Sequence, residues 1–173
     1  MAINTEKLSQ HIISFNTRIY AILDGASVAG LRMKLYEMKP PHYCLFAGDL
    51  EPDMAEVAPY LVRLYPNTPF TDWVFQECCG NNWGIFVHSR RTLNDLRGHF
   101  RALVNVYDEK GAPMFFRYYD PRVLREFLPT CQPAELKIFF GDVESFFAES
   151  AEETLTRFSN SDGQLKQAEL DVS

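Results

Sequence analysis

Phe115-Phe116-Arg117-Tyr118-Tyr119-Asp120-Pro121-Arg122 is the stretch on which the fold assignment turns. Met114, Phe116 and Tyr118 alternate with Phe115, Arg117 and Tyr119, which is the period of a strand. Large side chains on both sides predict a strand covered on both faces. Asp120 then offers an N-cap, and Pro121 suits the first helical position, where its missing N–H costs nothing. Val123, Leu124, Phe127 and Leu128 give the following helix an apolar side. Arg117, Tyr119, Asp120 and Arg122 therefore gather at the strand's carboxyl end, where open α/β sheets place what they bind. Residue types favour a structural role for this motif, a salt bridge that fixes the strand-to-helix turn, because buried Arg–Asp pairs are mostly scaffold.

Upstream, strands are expected at 18–23, 42–47, 58–64 and 83–88, with helices at 5–16, 28–38, 69–79 and 93–106 between them. A further helix is expected at 133–140. The alternation predicts an α/β fold with a mixed, largely parallel central sheet of about five strands between residues 18 and 119, and helices on both faces. Residues 144–149 and 154–159 read as a short antiparallel pair joined by Ala151-Glu152-Glu153, which makes a small C-terminal α+β part. Residues 160–173 are polar and read as a last amphipathic turn or an unstructured tail. The expected organisation is an α/β domain over 1–143 and a short extension over 144–173 packed on the same domain.

A chain of 173 residues can bury a sizeable single core, and 46% hydrophobic with 23% charged residues is the composition of a soluble globular protein. A net charge of −6 argues against general nucleic-acid binding and against an anionic membrane surface. No apolar run approaches the roughly 20 residues that span a bilayer. The stretch from Met1 to Lys7 lacks the basic and apolar regions of a signal peptide, so a cytoplasmic protein is expected, with Cys44, Cys78, Cys79 and Cys131 as reduced thiols.

Sites of chemistry are sparse. Cys78-Cys79 lacks the two-residue gap of a zinc knuckle, and His11, His42, His88 and His99 form no ligand spacing. Nucleophile elbows, phosphate loops and dinucleotide fingerprints are missing, so no catalytic set, no cofactor and no metal are expected. Asp24, Asp49 and Asp120 could converge at one sheet end and hold Mg²⁺, although each also suits a capping role. Aromatic content is 14%. Adjacent rings such as Phe139-Phe140 and Phe146-Phe147 should point apart, which makes Phe140 and Phe147 candidates for an exposed protein-binding surface. Arg90 and Arg91 are candidates for its charged rim.

An ordered series of segments also carries a resemblance. It comprises Tyr20-Ala21-Ile22-Leu23-Asp24-Gly25-Ala26, Pro59-Tyr60-Leu61-Val62, Trp83-Gly84-Ile85-Phe86-Val87, residues 93–101, Phe116-Arg117-Tyr118-Tyr119-Asp120-Pro121-Arg122-Val123-Leu124, Leu128-Pro129-Thr130-Cys131 and Phe139-Phe140-Gly141. From about residue 18 to about residue 160 the chain resembles the Tap/Tec-type adaptor chaperones of bacterial type VI secretion, catalogued as a domain of unknown function. The resemblance implies a non-enzymatic protein that binds a type VI effector in the producing cell and helps load it on the VgrG spike. It carries over no catalytic residues. Many members continue into a longer C-terminal region, so an effector-binding lobe is expected to be missing or reduced in a chain whose last residue is Ser173. Two other readings stay open beside it. One is a small hydrolase with Asp24, Asp49 and Asp120 at its sheet edge, and the other is a toxin-neutralising immunity protein.

Overall fold

A computed structural model describes residues 3–150 and 153–173. Seven strands form one sheet in the order β2-β3-β1-β4-β7-β8-β9. They are β1 (Arg18–Asp24), β2 (His42–Cys44), β3 (Pro59–Leu64), β4 (Gly84–Ser89), β7 (Val143–Glu149), β8 (Thr154–Ser161) and β9 (Gln164–Asp171). Every neighbouring pair in this sheet is antiparallel, which overturns the largely parallel sheet expected from the alternation. The physical reason lies in β1. β3 and β4 both pair antiparallel with β1 and lie on its two sides, so they run parallel to each other across it. Helix α4 (Pro69–Glu77) joins them by a crossover that skips one strand. β1 and β2 are related in the same way around β3, through α2 (Leu31–Met38). Alternation fixes neither direction nor adjacency: β1–β2 and β3–β4 run the same way without being neighbours, whereas β2 and β3, successive through a helix over 52–57, are antiparallel neighbours.

The stretch 115–122 is not a strand of this sheet. β5 (Asn105–Tyr107) and β6 (Pro113–Phe115) form a separate two-stranded ribbon, and β6 is exposed along its length. After it the chain turns, with the Phe116 N–H donating to the Val104 carbonyl at 2.8 Å and the Asp120 N–H to the Arg117 carbonyl at 3.0 Å. Tyr118 and Tyr119 are both buried, as a strand covered on two faces would require, but the turn separates them and no pleat is involved. Tyr118 packs edge-on to Phe139 at 5.6 Å, and its hydroxyl donates to the Phe100 carbonyl.

Residues 143–171 are three full strands of the main sheet rather than a small separate α+β part, because β7 pairs directly with β4. The residues Ala151 and Glu152 of the expected connection lie outside the described residues. The polar tail forms β9 through the turn at Asp162-Gly163, whose φ values of 51° and 82° place both residues in the left-handed region favoured in tight hairpins. Its composition hid it, because an edge strand with mostly exposed side chains carries no apolar alternation. Helix α1 (Thr5–Ile12) ties down this edge, with Asn4 N–H donating to the Val172 carbonyl at 2.8 Å and Lys7 Nζ 2.8 Å from Asp171.

Both aromatic doublets lie in the core. Phe140 is 2% exposed and Phe147 1%, so neither offers an outward ring on the folded surface. β7 is covered on both faces, and its two rings go to opposite layers. Phe146 meets Phe139 and Phe140 of α7 (Pro133–Phe140) at 5.2 and 5.0 Å, and Phe100 of α5 (Leu93–Val104) at 6.3 Å. Phe147 meets His88 at 4.6 Å on the face closed by α1, where the His88 ring nitrogen Nε2 donates to the Ile12 carbonyl. Phe146 and Phe147 point apart into two covered layers, whereas Phe139 and Phe140 do not diverge but both turn onto Phe146.

Candidate functional site

β1 and β7 both run antiparallel to β4, so their carboxyl ends, Asp24 and Glu149, lie at the same end of the sheet. The turn at 116–119 and helix α6 (Pro121–Phe127) close over that end. Asp24 is buried and accepts hydrogen bonds from the Ala26 N–H and the Ser27 hydroxyl, both at 2.9 Å. Arg117 Nη2 completes its shell at 2.6 Å. Asp120 caps α6 by accepting from the Arg122 N–H at 3.0 Å, and binds the same residue's guanidinium in a fork at 3.0 and 2.7 Å. Arg117 lies 3.9 Å from Asp120, so the four residues form one chain of alternating charge. Tyr119 adjoins it, its hydroxyl pushed up to about 12 by burial and by the nearby Asp24 carboxylate.

This arrangement works as a clamp. It joins the end of β1 to a turn 93 residues later in the sequence and to the first turn of α6. Burial pushes the Asp120 carboxyl up, but the hydrogen bonds and charge of Arg122, with help from Arg117, outweigh it and hold the group below its usual range. A carboxyl depressed in the folded state stabilises the fold above its unfolded value and loses that contribution as acid protonates it. Asp120→Ala is therefore expected to lower stability by about 1–3 kcal/mol at neutral pH. The gap between variant and wild type should shrink as pH falls below the ordinary value of 3.8. Urea midpoints measured from pH 7 to pH 3 check this; equal midpoints at pH 7 would show that the pair adds nothing to stability.

Asp49, the third carboxylate of the expected trio, is exposed, and among the described residues no group of three His, Cys, Asp or Glu is placed to hold a metal ion. Sequence reasoning missed Glu149. It is buried at the end of β7 and accepts from the backbone N–H groups of Gly80 and Asn82, pinning the loop before β4. Burial raises its carboxyl above the ordinary value, against the pull of those two hydrogen bonds. A cavity of about 220 Å³ opens beside it, lined also by Arg122, Arg125 and Ser150. The Nε of Arg125 is buried and has no hydrogen-bond partner among the described residues. The only sequence signal for Glu149 was an acidic residue closing an apolar strand.

Arg90 and Arg91 lie at the opposite end of the sheet. Arg90 Nε is 2.8 Å from Glu144, and Arg91 Nε is 3.0 Å from Asp142, both acids flanking the start of β7. The helix they precede, α5, is capped by Thr92 and Asp95, each bonding the other's backbone N–H. Arg90 and Arg91 thus sit on the surface, while Phe140 and Phe147, their expected companions, are buried between sheet and helices.

A seven-stranded antiparallel sheet with split crossovers, helices on both faces and an Asp–Arg clamp at one end defines the class of this protein. Residues 19–137 match the family described as a domain of unknown function (DUF4123), and the chain belongs to that family. The family is associated with type VI secretion effector adaptors. No curated protein and no solved structure matches the chain. The matched segment runs from β1 to α7 and takes in the clamp, but not β7, β8 or β9.

Proposed function

We propose that this protein is a cytoplasmic adaptor chaperone that binds a type VI secretion effector and assists its loading onto the VgrG spike, without turnover and without a metal or cofactor. The observation that carries this reading is membership, over residues 19–137, of a family associated with such adaptors. The clamp is in keeping with it. The Asp24 and Asp120 carboxylates are engaged by Arg117, Arg122 and nearby backbone N–H groups, which suits a scaffold better than a general base. Among the described residues no helix is long and apolar enough to cross a membrane. In this reading 1–143 and 144–173 act as one body, with β7 to β9 as part of the scaffold.

The test is co-purification from cells that carry the whole gene neighbourhood. Tagged protein should retain a large effector or a spike component at micromolar concentration, in a complex that survives gel filtration. Retention of neither would overturn the adaptor reading. Hydrolysis of a generic ester or phosphate that disappears in Asp24→Ala would favour the hydrolase instead.

A further inference from the structure

The sheet end opposite the clamp carries a second concentration of arginines. Arg18 opens β1, Arg63 is the next-to-last residue of β3, and Arg90 directly follows β4. These strands are neighbours, with Arg18 facing Ser89 and Tyr20 facing Arg63 in register, so the three residues arrive at one end of the sheet. There they line a cavity of about 540 Å³ together with residues 14–17 and Pro66, and among the described residues no Asp or Glu lines it. Phe15 stands in its wall with 98% of its surface exposed.

The charges in this groove are partly cancelled from its rim, Arg90 by its ion pair with Glu144 and Arg18 by the field of the nearby Asp95. Among the described residues Arg18 and Arg63 form no ion pair. Arg18 donates to the Arg90 carbonyl. Arg63 donates to the Ile19 carbonyl at 2.9 Å, and its guanidinium lies over the rings of Tyr20 and Tyr65 at 5.1 and 4.9 Å. Those contacts fix the guanidinium groups in place without neutralising them, which leaves both as charged donors for an acceptor from outside. Arg90 pairs with Glu144, but its side chain remains 78% exposed. Arginine and aromatic side chains are the residue types that most often carry binding energy at interfaces, and here they stand in a groove whose described lining has no Asp or Glu, on a chain of net charge −6.

We propose that this groove docks an acidic segment of a partner polypeptide, its carboxylates meeting Arg18, Arg63 and Arg90 while an apolar side chain covers Phe15. The proposal rests on the adaptor reading for the partner's class, an effector or spike protein, and on charge complementarity for its chemistry. A nucleic acid fits less well, because three arginines neutralise few phosphates and the rest of the chain repels a polyanion.

The experiment uses the full-length chain labelled with ¹⁵N. The probes are a short peptide of alternating Glu, Asp and Leu, the same peptide with Lys replacing the acids, and a single-stranded oligonucleotide. The acidic peptide should shift amides at 14–18, 63–66 and 89–91, and its affinity should fall roughly tenfold from ~50 to ~300 mM salt as charges are screened. Arg18→Gln/Arg90→Gln should weaken it at least about tenfold, and Phe15→Ala about threefold to tenfold with an unchanged melting temperature, since that residue is 98% exposed. Shifts that map elsewhere, variants that bind like wild type, or tighter binding of the oligonucleotide or the Lys peptide would overturn the proposal. The two readings fail separately. If wild type and Arg18→Gln/Arg90→Gln retain an effector equally, the groove is wrong and the adaptor stands. If the acidic peptide binds the groove but wild type retains no effector or spike component, the adaptor is wrong and the groove stands.

Discussion

A chain ended after Asp142 is expected to lose its cooperative unfolding transition, although it keeps every residue of the family match, 19–137. The cut removes β7, β8 and β9, and with them Phe146, Phe147, Leu155 and Phe158, none more than 1% exposed. Each such side chain contributes about 1.5–3 kcal/mol by leaving water. Four of them together match the whole stability of an ordinary domain, about 5–15 kcal/mol. The cut also bares the faces of α5 and α7 that hold Phe100, Phe139 and Phe140, and frees the 80–82 loop from Glu149. Far-ultraviolet circular dichroism in a urea series, with dye binding to report exposed apolar surface, reads the result. A sharp transition near the full-length midpoint would show that the last three strands are an appendage to an independent core.

Phe146→Ala should have the largest effect of any single truncation in the core, about 3–5 kcal/mol. The ring is fully buried on β7 and touches Phe100, Phe139 and Phe140, which come from two helices. Aromatic neighbours are rigid, so the space left behind cannot close by small rotamer changes, and the cavity adds to the lost transfer energy. Chemical denaturation should show a lower midpoint with an unchanged slope. A loss under about 1 kcal/mol would mean that α7 moves in to fill the gap.

What the sequence discloses here follows how local the deciding interaction is. α5 is legible as the helix expected at 93–106, because its stripe Leu96, Phe100 and Val104 lies within one helix. The Asp120-Pro121 start of α6 is legible for the same reason, and so is the pairing of Asp120 with Arg122 two residues on. The partner of Arg117 is not, since Asp24 meets it only through the tertiary fold. Strand order fails likewise: nothing within 18–24 says that β1 will sit between β3 and β4. Phe140 and Phe147 mislead for different reasons: on a helix Phe139 and Phe140 both reach Phe146, and on β7 the rings diverge but both faces are covered. At the arginine end, Arg90-Arg91 is a visible pair, but Arg18 and Arg63 are single residues that register alone brings beside it.

The place of β1 between later strands also sets the order in which the chain can fold. During synthesis β1 emerges before either of its partners, and β3 and β4 reach it only after α2 and α4 have been made. The far side of β4 must then wait until β7 arrives, past three further α-helices and the β5–β6 ribbon. Pairings so distant in sequence slow folding, because long loops must close before their contacts reward it. Through that interval β4 offers an open row of N–H and C=O groups, the kind of edge that recruits foreign strands. A ribosome that stalls before residue 143 would thus release a chain with an unpaired β4 edge, prone to aggregate.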